Sequence, residues 1–270
     1  MGTNVQYKVG EEIMSEKAKN ILYYAVLFTL FCAIVFSLWK LYHIFTEYNA
    51  AEVEYKQVSE KVTKPAEDPE EECPISVDFD ALRKINPDVV GWIYSEDTPI
   101  NYPVLQGETN DEYIYHTIEK QYNSSGSIFM DSFNDPALTD YNTVLYGHHM
   151  KNGSMFASIK KYSKQEYADE HPVLWYLTPE RNYRLTVFSG FVDAPDSKVY
   201  SLFLDRIDFE LYLDRARKKN NFKQSAEASM LGDSDIDHIM VLSTCDYSYD
   251  NARYVLVCTY HLPSDLPHTE

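Results

Sequence analysis

Two side chains in this 270-residue sequence have the types and spacing for covalent chemistry: Cys245, which ends the run IMVLSTC, and Arg253, which follows the loop DYSYDNA. The thiolate is the nucleophilic form of cysteine, and a fixed cation nearby favours it. The same cation can steady negative charge developing on a substrate carbonyl. Reactive groups are commonly presented where a strand gives way to a loop, and the apolar run before Cys245 reads as such a strand. A nucleophilic cysteine works with a base and proton donor. Of the 8 histidines, only His148 is placed in the same fashion, after Gly147 within TVLYGHHM. His149 falls on the opposite face if the strand persists and is expected to be structural or a rim contact. Neighbouring strand residues diverge, so the two are not expected to share a metal. His43, His116, His171, His238, His261 and His268 show no partner pattern.

Strand parity separates the cysteines. Arg253, Val255 and Val257 share one face of the last strand, while Tyr254, Leu256 and Cys258 share the other. Cys258 is therefore expected to be a small buried apolar residue. Cys32 falls in a hydrophobic segment and Cys73 in an acidic linker, and none of the four cysteines forms a CxxC pair or a zinc-like spacing. Asp246, next to the nucleophile, reads as a solvated turn aspartate, with orientation of His148 or Arg253 as the alternative.

These groups need strands to hold them. Val89 to Tyr94, Ile100 to Leu105, Ser127 to Met130, Thr143 to Tyr146, Val173 to Leu177, Tyr183 to Val192, His238 to Thr244 and Arg253 to His261 are short apolar or alternating runs bounded by Gly, Pro, Asn or Asp. Asp78 to Ile85, Met155 to Tyr162 and Ile207 to Lys219 read as helices. In the last of them Phe209, Tyr212, Leu213 and Ala216 share one face, which should pack on the sheet. Many short strands with few helices predict a mainly β fold with flanking helices, an eight-stranded closed or nearly closed barrel.

Upstream, Ile21 to Trp39 is an uncharged apolar run of the length that crosses a bilayer, too long for a signal-peptide core and with no AxA-like site after it. The expected organisation is a short cytoplasmic arm over 1–20, an anchor over 21–45, a polar acidic linker over 46–76 and the barrel over 77–270. PAEDPEEE, from Pro65 to Glu72, reads as stalk, and a helical start is possible around Glu47 to Lys61. Lysines on both sides of the span leave the positive-inside bias weak, while the short arm and large acidic domain fit an inside N-terminus. With 42 acidic and 24 basic residues the formal net charge is −18, which argues against nucleic acid as a partner.

Taken together, YGHHMKNGSMF (Tyr146 to Phe156), LSTC (Leu242 to Cys245) and Arg253 closely resemble a class B sortase. The resemblance spans about Val77 to His261. The family's TLxTC signature stands here as VLSTC, with Val241 in place of the first threonine, and the long insert between Val192 and His238 looks like the helix-bearing connection of class B members. It implies an eight-stranded sortase-type barrel and a catalytic trio of Cys245, His148 and Arg253, with Ser243 and Thr244 helping to line the groove for the substrate. It further implies a cofactor-free, metal-free cysteine transpeptidase at the surface of a Gram-positive cell. Such an enzyme cleaves a surface protein's C-terminal sorting signal after threonine, NPxTx-type in class B, and transfers the acyl group to an amine of the cell-wall peptidoglycan precursor. Pilus assembly on a pilin lysine, a cysteine hydrolase and a non-catalytic binding barrel are the competing readings.

Overall fold

The structure is a computed structural model that describes residues 15–66 and 73–262. It divides into two compact units between Thr46 and Glu47. In the first, the chain is part of helix α1 (Glu16–Val62), whose large apolar side chains from Ile21 to Phe45 are exposed. Its apolar window has a mean hydropathy of 2.4 and none of it is buried, so α1 is long and apolar enough to cross a membrane. The arm over 1–14 and the acidic run over 67–72 lie outside the described residues.

The second unit begins inside α1, at Glu47, so the first part of the linker expected over 46–76 is packed helix instead. Ala51, Tyr55, Val58 and Val62 are buried on one stripe of the helix, as the spacing i, i+4, i+7, i+11 requires. The Tyr55 hydroxyl donates to the Gly126 carbonyl at 2.7 Å and lies 2.9 Å from Ser127 Oγ. Beyond the helix, β1 (Thr63–Pro65) pairs antiparallel with β2 (Ile75–Val77). Cys73, assigned to the linker by sequence, is fully buried in the main core instead. Helix α2 (Phe79–Ile85) is capped by Asp78, whose carboxylate accepts from the Ala81 N–H at 2.9 Å.

The eight expected strands are β3 (Val89–Tyr94), β4 (Asn101–Leu105), β5 (Ile128–Met130), β6 (Asn142–Tyr146), β7 (Val173–Leu177), β8 (Asn182–Asp193), β9 (His238–Cys245) and β10 (Arg253–Tyr260). They close into a barrel in the order β10-β8-β7-β3-β4-β5-β6-β9. The β4–β5 and β6–β9 pairs are parallel and the others antiparallel. The segment expected as a helix at Met155 to Tyr162 is a 3-10 run, Phe156–Ser163, followed by α3 (Gln165–Glu170). Helix α4 (Arg206–Lys219) and the short α5 (Ala226–Met230) occupy the insert between β8 and β9.

Side-chain alternation on β9 and β10 feeds two cores. Met240, Leu242, Tyr254, Leu256 and Cys258 join Trp92 and Leu105 in the larger cluster. Val241, Val255 and Val257 point the other way, against Phe209, Leu213 and Ala216 of α4. By the same parity Ser243, Cys245 and Arg253 share the face that α4 covers further down the strands, and Cys258 is on the other. Cys258 is fully buried, and burial pushes its thiol well above the ordinary range.

Candidate active site

Register assembles the site. On the antiparallel β9–β10 pair Cys245 is the Cα partner of Arg253, so both side chains leave the same face at the same level. On the parallel β6–β9 pair Tyr146 is the partner of Ser243. His148 and Cys245 each follow two residues later, which carries both to the same end of the barrel. Together with Ser243, Thr244, Gly147, Tyr146 and Tyr200 these side chains line a cleft of about 490 Å³ that also receives Asn110, Ile114 and Tyr115.

Each of the three is held differently. His148 Nε2 is 2.8 Å from the Ile114 carbonyl oxygen. A carbonyl only accepts, so Nε2 carries the hydrogen and Nδ1 is the nitrogen whose proton can come and go. The Tyr115 ring leans on the imidazole at 5.8 Å between centroids. Gly126, at φ +54°, allows the backbone to approach the Ile114 carbonyl closely, because a Cβ there would collide with that oxygen. Arg253 Nη1 donates to the carbonyls of Asn251 and Ala252 at 3.0 and 3.2 Å. Among the described residues no carboxylate forms an ion pair with it, so its charge is left to act in the cleft. Cys245 is partly exposed, as an attacking thiol must be.

The hydroxyls before Cys245 have distinct partners. Thr244 Oγ1 donates to the Gly147 carbonyl at 2.8 Å, fastening β9 to the histidine loop. Ser243 Oγ is 2.9 Å from the Tyr200 hydroxyl. Tyr200 stacks on Tyr146 at 5.9 Å, and Tyr146 leans on Phe129 at 5.3 Å, which gives the cleft an aromatic floor. Burial pushes the Tyr146 and Tyr200 phenols up, so both are neutral hydrogen-bonding groups. Tyr200 and Pro195 come from the insert after β8, and sequence reasoning missed them because nothing in their spacing ties them to β9. Tyr146 was within the histidine motif but carried no signal of its own.

Asp246 is not a solvated turn residue, and it orients neither His148 nor Arg253. Its side chain is fully buried with Lys160 Nζ at 2.5 Å from Oδ2, an ion pair without hydrogen-bond alignment. Its other oxygen accepts from the Ser248 N–H at 2.8 Å and from the Ser248 hydroxyl. Burial pushes this carboxyl up, but Lys160 and Ser248 outweigh it and hold the group below the usual carboxylate range. Lys160 sits on the 3-10 run after the histidine motif, so this pair ties that run to the loop after Cys245. Among the described residues no three His, Cys, Asp or Glu side chains come together as a metal site.

A partly exposed thiol beside an unneutralised guanidinium, and a histidine with one nitrogen free to exchange protons, can open an amide through a thioester. Comparison with known proteins points the same way. Residues 93–261 match the sortase domain family. The chain is 36% identical over 182 residues to sortase B of Staphylococcus aureus, covering 66% of this chain and 72% of that one. To sortase B of Listeria monocytogenes it is 37% identical over 178 residues, 65% and 70% of the two chains. Among solved structures, sortase B of Bacillus anthracis superposes with a TM-score of 0.67 at 32% identity, covering 80% of this chain and 98% of that one. Sortase B of Clostridium perfringens gives 0.63 at 34% identity, covering 68% and 100%.

Proposed function

Because the chain belongs to the sortase family of cysteine transpeptidases, we propose that it anchors surface proteins to the cell wall by cleaving an NPxTx-type sorting signal after threonine, with Cys245, His148 and Arg253 as its catalytic residues. The observation that carries the assignment is the register that pairs Arg253 with Cys245 at a cleft shared with His148. In this reading the Cys245 thiolate attacks the threonine carbonyl, and Arg253 steadies the oxyanion. The C–N bond then breaks as His148 gives a proton to the departing amine, leaving a thioester. An amine of the peptidoglycan precursor attacks that thioester, His148 takes its proton, and the C–S bond breaks to restore the thiolate. Ser243 and Thr244 line the groove that takes the signal. The N-terminus lies inside, α1 spans the membrane through residues 21–39, and the barrel works outside.

The test is mass spectrometry of the full chain in detergent micelles, incubated with NPxTx and LPxTG peptides and glycine or lysine amines, beside Cys245→Ala. Cleavage of NPxTx after threonine, transfer to amine, and loss of both in the variant are expected. Transfer confined to the lysine side-chain amine would favour pilus assembly, free acid in abundant amine would favour a hydrolase, and no thioester on any peptide would overturn the reading.

A further inference from the structure

The β6–β9 ladder stops one rung short of the nucleophile. Tyr146 is the last β6 residue in register, and the Gly147 N–H donates to the Ser243 carbonyl at 3.1 Å. In a parallel ladder the next such bond would run from the amide of residue 149 to the carbonyl of Cys245, two residues on along each strand. The chain instead turns away, and His149 forms an isolated bridge with Met155. The missing rung is filled by a side chain: His149 Nδ1 is 2.9 Å from the Cys245 carbonyl oxygen. The imidazole is half-buried, its ring edge-on to Tyr247 at 5.4 Å.

We propose that His149 is a positioning residue for Cys245: its Nδ1–H closes the last rung of the ladder and so fixes the nucleophile's backbone at the strand end. The carbonyl can only accept, so Nδ1 carries the hydrogen whether the ring is neutral or charged, and the tie does not depend on the ring's protonation. His148 and His149 thus divide the work along one dipeptide. The first turns toward the Ile114 carbonyl and the cleft, while the second reaches across to β9. The inference rests on the transpeptidase reading for its kinetic readout, and on the thiol alone for its second.

Full-length chain in detergent micelles is compared with His149→Ala and His149→Asn, the latter keeping an N–H donor at the Nδ1 position. With an NPxTx peptide and an amine, His149→Ala should lower kcat about tenfold with KM within about twofold, the loss of one alignment-setting hydrogen bond. His149→Asn should recover most of it, and the pH limbs of kcat/KM should stay where they are in all three. Thermal unfolding checks that each variant is folded, and the rate of Cys245 alkylation by iodoacetamide should change in the alanine variant and return in the asparagine one. Unchanged kcat and alkylation in His149→Ala would overturn the proposal. So would a lost pH limb that asparagine fails to restore, which would make His149 a proton-transfer group. Should the wild type turn over no sorting peptide, the transpeptidase reading fails and the alkylation series alone decides the role of His149.

Discussion

Arg253 can serve Cys245 in two ways, and they separate experimentally. As a fixed cation it would raise the thiolate fraction, and as a hydrogen-bond donor it would hold the oxyanion. Arg253→Gln should lower kcat/KM about 100-fold, about 2.7 kcal/mol of transition-state stabilisation. If the thiolate role dominates, alkylation of Cys245 by iodoacetamide will slow and its midpoint will move to higher pH. An unchanged alkylation profile would assign the loss to the oxyanion. This pairing was legible in the sequence because a tight return between two strand runs brings Arg253, eight residues on, back to Cys245, and period-two alternation placed Cys258 on the other face. Asp246 was not legible, since its partner Lys160 arrives from a 3-10 run 86 positions earlier in the chain and no local pattern announces that approach. His149 was read as structural or rim, and its contact with the Cys245 carbonyl depends on where β6 stops pairing.

The elements were easier to read where burial is two-sided or strictly periodic. All eight barrel strands and α4 announced themselves through apolar runs bounded by turn residues. The C-terminal part of α1 was legible only as a helical start over Glu47 to Lys61, not as part of the core: its buried stripe of Ala51, Tyr55, Val58 and Val62 is one residue wide, and Glu52, Glu54, Lys56, Glu60 and Lys61 around it read as linker. Tyr55 joins that stripe to the barrel, with its ring edge-on to Tyr102 at 5.5 Å and its hydroxyl on Gly126 and Ser127. Tyr55→Phe should cost about 1 kcal/mol, the worth of a buried hydrogen bond. Tyr55→Ala should cost about 4 kcal/mol through loss of the ring and the cavity left behind. Thermal unfolding of the full chain measures both, and turnover per folded molecule should change little because Tyr55 is outside the cleft. If alanine costs no more than phenylalanine, the helix stripe does not hold the barrel.

At the scale of the whole molecule, charge sets the response to acid. The formal net charge of −18 means that carboxylates far outnumber the cations available to pair them. Those that do pair become the acid-labile ties: Lys120 and Tyr113 lower Asp88, Arg184 lowers Glu227, and Lys160 with Ser248 lowers Asp246 against the effect of its burial. A carboxyl whose folded-state pKa is depressed contributes stability that is fully present above its unfolded value, about 3.9 for Asp. That contribution is lost as the pH falls through the lower folded-state value. Stability should therefore be flat from neutral pH to about 5 and fall below about 4. Asp246 gives the sharpest test, because its side chain is fully buried while Lys160 is partly exposed. Lys160→Met leaves a buried carboxylate with only Ser248, at a cost of about 2 kcal/mol at pH 7. The remedy for such a group is protonation, so the gap between wild type and Lys160→Met should narrow as the pH drops from 7 toward 4. Denaturant unfolding of the full chain across that range measures it. A gap that stays constant would mean that Lys160 contributes packing of its methylene stem rather than charge.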